Sequence, residues 1–330
     1  MNGRTLKRHA IWPAALAVLL TVMTAAPAYA GGAVISFNPL AGELPEGIAL
    51  DHHGNIFVTL SPRGEVREIA ADGTQSTVAT LSPPGEGIGT AGLAFDGRGD
   101  LFVADVTFDP ANNGVYEIPP GGAATRLPGS EQIGLPNGLA FDDRGFLYVT
   151  DSLQGAIWRL SPDAQPVRLV QDPLLEGDGS FGVGVPIGAN GIAFRQGSLY
   201  VTNTELGRVL RLPLSPSGAP GALQLVAERP QLIGSDGCQF DVLGNLYIAL
   251  NAQNKLARLA PNRAFTIVAT AADGLDFPAS PLFGTGQGDR STIFVTNFAL
   301  GHANPADAHP GVVSFDVGIA GAPLPRAGGF

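Results

Sequence analysis

Apolar and polar positions alternate along most of the chain, in short runs broken by polar, glycine-containing turns. No apolar stripe of helical period appears after residue 30, so the pattern predicts strands joined as hairpins. The pattern also repeats. Six segments align: Pro45-Glu-Gly-Ile-Ala-Leu-Asp51, Thr90-Ala-Gly-Leu-Ala-Phe-Asp96, Pro136-Asn-Gly-Leu-Ala-Phe-Asp142, Ala189-Asn-Gly-Ile-Ala-Phe194, Ser235-Asp-Gly-Cys-Gln-Phe-Asp241 and Pro278-Ala-Ser-Pro-Leu-Phe-Gly284. Their starts lie 45, 46, 53, 46 and 43 residues apart, the length of one four-stranded blade. Each is followed by a turn and an aromatic-rich strand, from Ile56-Phe-Val-Thr59 to Ile293-Phe-Val-Thr296. A third and a fourth strand follow. The prediction is an all-β, six-bladed β-propeller over residues 31–319.

The last repeat supplies only three strands, ending near Gly311-Val-Val-Ser-Phe-Asp316, whereas Ala33-Val-Ile-Ser-Phe37 precedes the first repeat and has no blade of its own. The N-terminal strand is therefore expected to complete the last blade and close the ring, which removes exposed strand edges. Residues 320–330, rich in Gly, Pro and Ala, are expected to form a loose tail. The glycine-rich insertion from Gly177 to Gly188 lengthens the third repeat. It carries no lysine and follows no βα pattern, which excludes a phosphate loop, and it is a candidate lip.

Composition narrows the setting. Arg4, Lys7 and Arg8, the apolar run Ala14–Val22 and Ala28-Tyr-Ala30 have the layout of a cleavable signal peptide over residues 1–30, too short to span a bilayer. The expected location is periplasmic or extracellular. That segment holds three basic and no acidic residues, so the remainder has 16 basic against 29 acidic residues, a net charge of −13. Such a surface repels nucleic acid and anionic membranes and attracts cations. Cys238 is the only cysteine, so no disulfide forms within the chain. Cys238 aligns with Ile48 and Leu139 and reads as a core residue. Nothing in the sequence demands a partner subunit, and a monomer is expected.

Hairpin geometry locates the chemistry. The residue opening the first strand of each blade and the residue ending the second lie on one face of the ring. The first position reads Glu46, Ala91, Asn137, Asn190, Asp236 and Ala279, and the second Leu60, Asp105, Asp151, Asn203, Leu250 and Asn297. Two carboxylates crowded near a narrow axis repel each other and are costly to bury. A cation resolves both problems. Glu46, Asn137, Asn190 and Asp236 offer only hard oxygen donors, the ligand set of Ca²⁺ rather than of Zn²⁺. Asn203, Asn297 and His302, in the segment after the last second strand, are candidate substrate contacts on that face. His52 and His53 fall in a turn on the opposite face.

These same residues resemble the repeat of the SMP-30/gluconolactonase family and the related luciferin-regenerating and calcium-dependent phosphotriesterase-type propellers. The resemblance covers nearly the whole chain after residue 30. It implies a central Ca²⁺ held by Glu46, Asn190 and Asp236, with Asn137 binding metal or substrate, and hydrolysis of a small-molecule lactone or ester above it. Leu135 stands where sugar-lactone members carry an arginine two residues before that Asn, which favours a less polar substrate. In the mechanism the resemblance implies, Asp236 is the candidate base, with Asp105 and Asp151 as alternatives. Two other readings remain: a non-catalytic binding propeller with a structural calcium, and a strictosidine synthase-like propeller, which characteristically lacks such a metal set. No nucleophile-elbow, zinc-protease or P-loop motif is present.

Overall fold

The computed structural model describes Met1, residues 31–161 and residues 164–324. The expected signal peptide lies outside the described residues, apart from Met1. Among the described residues no helix is long and apolar enough to cross a membrane, and the helices are 3-10 turns of three residues.

Six four-stranded antiparallel sheets form the ring. Blade 1 comprises Pro45–Leu50, Ile56–Leu60, Glu65–Ile69 and Gln75–Thr80, and the next four blades repeat that order along the chain. In blade 6, Gly31–Ser36 pairs with Gly311–Asp316, so the N-terminal strand closes the ring as the sequence predicts. The hairpin turns between first and second strands are held by the aspartate ending the repeat motif. Asp51 accepts from the backbone N–H groups of His53 and Asn55, and Asp142 from those of Arg144 and Phe146.

The core lies between blades. An aromatic residue on the second strand of one blade meets the first-strand phenylalanine of the next, edge to face: Phe57 on Phe95, Phe102 on Phe141, Tyr200 on Phe240 and Tyr247 on Phe283, with centroids 4.8–5.3 Å apart. This recurring pair is why the aromatic positions of the repeat are spaced as they are.

Around the axis the blades touch through backbone. In all six blades the pairing of strand one with strand two shifts register at the candidate ring position. The residue after it is glycine in five blades because a Cβ there would strike the ring carbonyl of the next blade. The approach would be 2.6 Å from Gly47 to Ala91, 2.6 Å from Gly138 to Asn190 and 2.4 Å from Gly191 to Asp236. Threonines ending second strands stitch the same seam. Thr59, Thr150, Thr202 and Thr296 donate to the ring carbonyls of Ala91, Asn190, Asp236 and Glu46 in the neighbouring blades.

Below the ring lies an axial channel enclosing about 140 Å³ of free space. Its far end is lined by Ala322, Pro323 and Leu324. Residues 320–324, expected as the start of a loose tail, are docked instead. Val242 N–H donates to the Ala320 carbonyl, Gly321 N–H to Arg290 and Ala322 N–H to Phe240. The edge of blade 5 offers unpaired backbone groups that this segment satisfies. Residues 325–330 lie outside the described residues.

Candidate functional site

Strand one of each blade delivers its ring residue to the axis. Glu46, Asn137, Asn190 and Asp236 are all buried there, while Ala91 and Ala279 fill the corresponding positions of blades 2 and 6. Glu46 and Asp236 are 8% and 5% exposed and close enough to repel. Burial pushes the Glu46 carboxyl well above its ordinary range, and the Asp236 charge pushes it further. Burial also pushes Asp236 up to about 7, against hydrogen bonds from Asn251, the Gly237 backbone and Asn190. Glu46 Oε2 is a buried oxygen with no hydrogen-bond partner.

The two amides are oriented from behind. Asn137 Nδ2 donates to Ser152 Oγ at 3.2 Å, and Asn190 Nδ2 donates to Thr204 Oγ1 at 2.9 Å. Their oxygens are left as the free acceptors. Each hydroxyl passes the link to the next blade: Ser152 donates to the Ala189 carbonyl and Thr204 to the Ser235 carbonyl. Asn251 Nδ2 then reaches Asp236 Oδ2 at 3.3 Å. Three of the axial ring positions, on successive blades, are therefore joined by one hydrogen-bonded collar.

The collar has a signal in the sequence, at a position not among the candidate site residues. One residue past the second-ring position the blades read Ser61, Val106, Ser152, Thr204, Asn251 and Phe298. The position is polar in the four blades whose ring residue is polar, and apolar in the two with alanine.

The second ring does not converge on the axis. Asp151 is fully buried, and its oxygens accept from the backbone N–H groups of Gly134, Leu135, Leu153 and Gln154 and from Trp158 Nε1. No lone pair is left for a base. Asn203 donates to the Leu174 and Glu176 carbonyls and accepts from Leu206 N–H, and Asn297 likewise joins Gly274 to Asp276. In place of lining the site, these side chains tie down the loops entering each blade. Asp105 is buried beside Ser82, which donates to Oδ1, while Oδ2 has no partner. Its titratable neighbours are Glu86 and Tyr116, not the axial pair, and burial pushes it up to about 6. His302 Nε2 lies 2.8 Å from Asp276 Oδ1 and pins that loop from outside. Leu135 is core, and so is Cys238, whose thiol burial pushes up to about 12.

Chemically, the axis presents two carboxylates and two amide oxygens. Among the described residues no third carboxylate, histidine or cysteine joins them in a metal-binding group. The unpartnered Glu46 oxygen, the mutual repulsion and the two buried amides beside the carboxylates all fit a hard divalent cation with oxygen ligands.

No protein-family model matches this chain, and no curated protein matches it. Solved structures do. The luciferin-regenerating enzyme superposes over 90% of this chain and 99% of its own, at 13% identity and a TM-score of 0.66. Regucalcin from Agrobacterium tumefaciens, described as a calcium-binding protein, covers 86% and 93% at 17% identity and 0.65. Virginiamycin B lyase from Staphylococcus aureus covers 77% and 81% at 17% identity and 0.55. At these identities the shared property is the architecture, and the chain has the fold of the SMP-30/gluconolactonase-like propellers.

Proposed function

We propose that this protein is a calcium-dependent hydrolase of small-molecule lactones or esters. The observation that carries the reading is the buried, mutually repelling pair Glu46 and Asp236, one oxygen unpartnered, set beside two buried amides held by hydroxyls of their own blades. Fold alone does not select it, because the similar structures include a lyase as well as proteins described as gluconolactonases. Glu46, Asn137, Asn190 and Asp236 would hold Ca²⁺, which supplies positive charge where a carbonyl oxygen gains negative charge during attack. The chain's own residues do the rest. The collar holds the donors in register, so no reorganisation is needed during attack. The Asp236 oxygen not held by Asn251 takes the proton from the attacking water and returns it to the leaving alkoxide oxygen as the carbonyl carbon–oxygen bond breaks. Asp105 and Asp151 have no part in this step.

The layout of residues 1–30 supports an exported protein acting in the periplasm or the medium, where calcium is available. The experiment is hydrolysis of a panel of lactones, aryl esters and a phosphotriester, with Ca²⁺ and with chelator, beside a Glu46→Gln/Asp236→Asn double variant. Turnover lost with chelator and in the variant supports the reading. No turnover by folded protein sinks it and leaves a binding propeller with a structural ion. Full turnover in chelator sinks the metal.

A further inference from the structure

The site is roofed. Glu205, nearly fully buried just after the second strand of blade 4, accepts the backbone N–H groups of Asp178, Gly179 and Phe181 at 2.6, 2.7 and 3.0 Å. That carboxylate folds the glycine-rich insertion over the ring face. The insertion's Phe181 packs on the apolar cluster of blades 2 and 3, yet its ring centroid lies 6.3 Å from that of Phe277, which opens blade 6. Blades 3 and 6 are opposite each other in a ring of six, so Phe181 crosses above the axis. Phe277 in turn lies 6.2 Å from Phe298.

Phe277 is held there at some cost. Its φ is +45°, a left-handed conformation that a bulky residue rarely adopts. Asn254 Oδ1 accepts its N–H at 2.7 Å, and His302 and Asn297 anchor the preceding Asp276. The surroundings over-determine where the ring sits.

The two blades that bring no ligand bring hydrocarbon instead. Blade 6 sets Ala279 and Phe298 beside Phe277, and blade 2 sets Ala91 and Val106. Outside the roof, Phe108, Leu153, Val183, Ile233 and Leu300 are exposed on loops of the same face. An apolar rim around a polar centre is the surface expected where a ligand with hydrocarbon character enters.

The geometry points to a substrate carrying an alkyl or aryl group, which sits on the blade 6 side against Phe277 and Phe298 and is covered by Phe181, with the insertion from Gly177 to Gly188 as the cover that opens for entry. This rests on the hydrolase reading and names its substrate class. Phe181 and Phe277 are its specificity-determining residues, and Glu205 is a positioning residue acting through the cover.

The test reads binding and turnover separately, in calcium-containing buffer. Calorimetry measures octanoate and gluconate on wild type, Phe181→Ala and Phe181→Leu, and the same proteins are assayed on p-nitrophenyl acetate and p-nitrophenyl octanoate. Octanoate is expected to bind at least about 10-fold more tightly than gluconate. Loss of the half-buried ring in Phe181→Ala weakens octanoate about 10- to 100-fold. Phe181→Leu keeps most of the affinity, and thermal melts of all three establish that they fold. In turnover, Phe181→Ala lowers kcat/KM for the octanoate ester by a larger factor than for the acetate ester. Gluconate binding as tightly as octanoate, octanoate binding unmoved in Phe181→Ala, or no binding of either ligand overturns the inference. Octanoate binding as expected with no ester hydrolysed removes the hydrolase reading and leaves the apolar pocket standing.

Discussion

Replacing Thr204 by valine keeps the shape of the side chain and removes one hydroxyl that serves two blades. That hydroxyl accepts from Asn190 Nδ2 at 2.9 Å and donates to the Ser235 carbonyl at 2.8 Å, both in fully buried surroundings. Two buried polar groups are left without partners, at roughly 1–3 kcal/mol each. A net loss of about 2–4 kcal/mol corresponds to a fall of roughly 3–7 °C in Tm for a domain of this size. The larger effect is on the ion. Without Thr204 the Asn190 amide loses the bond that fixes its orientation, and losing such an outer partner typically costs about 10- to 100-fold in metal affinity. Calcium titration by calorimetry, with melts at saturating calcium and in chelator, separates the two effects. Thr204→Ser, which keeps the hydroxyl, should bind calcium like wild type. A valine variant with wild-type calcium affinity would refute the collar, even if its Tm fell as expected.

Glu46→Gln should raise the Tm of the chelator-treated protein by relieving repulsion with Asp236, and should abolish the stabilisation that calcium gives; a lower chelator-treated Tm would count against the buried pair. Asp105 is raised from 3.8 to about 6, so its folded form favours the neutral acid. Stability from this group is present below pH 4 and lost as pH rises through about 6, on the order of 3 kcal/mol. Denaturant melts from pH 4 to 8 should show a smaller decline in Asp105→Asn than in wild type, and identical slopes would refute the assignment. Gly191→Ala places a methyl group 2.4 Å from the Asp236 carbonyl, where backbone must move, and should cost about 3 kcal/mol or more by urea unfolding. Gly54→Ala, with open space around it but a φ of +85°, should cost only about 1 kcal/mol.

The repeat itself carried the architecture. A motif returning six times, each copy followed by an aromatic-rich strand, determines the strands, the blade count and the closing N-terminal strand. Hairpin periodicity is a local property, and a unit that cannot bury its own face must stack on its neighbours. The axial residues Glu46, Asn137, Asn190 and Asp236 were legible for the same reason: one aligned position in every blade is one place in the ring. Local pattern fails where a side chain's direction depends on a partner distant in sequence. Asp105, Asp151, Asn203 and Asn297 align as well as the four axial residues do, yet the register shift in each first strand sends one set to the axis, while loop amides capture three of the others and Ser82 holds Asp105. The glycine after the ring residue in five blades looks like a turn former in sequence, and only the ring shows that the carbonyl of the next blade fills the space a Cβ would need. Phe181 meets Phe277 96 residues away in sequence and on the opposite side of the ring, a contact with no local signature. The sequence by itself determined the blades and the polar ring they carry to the axis. Which oxygens face it, what holds them and what covers them were decided only when the blades packed, because those directions are set by hydrogen bonds and contacts made between blades.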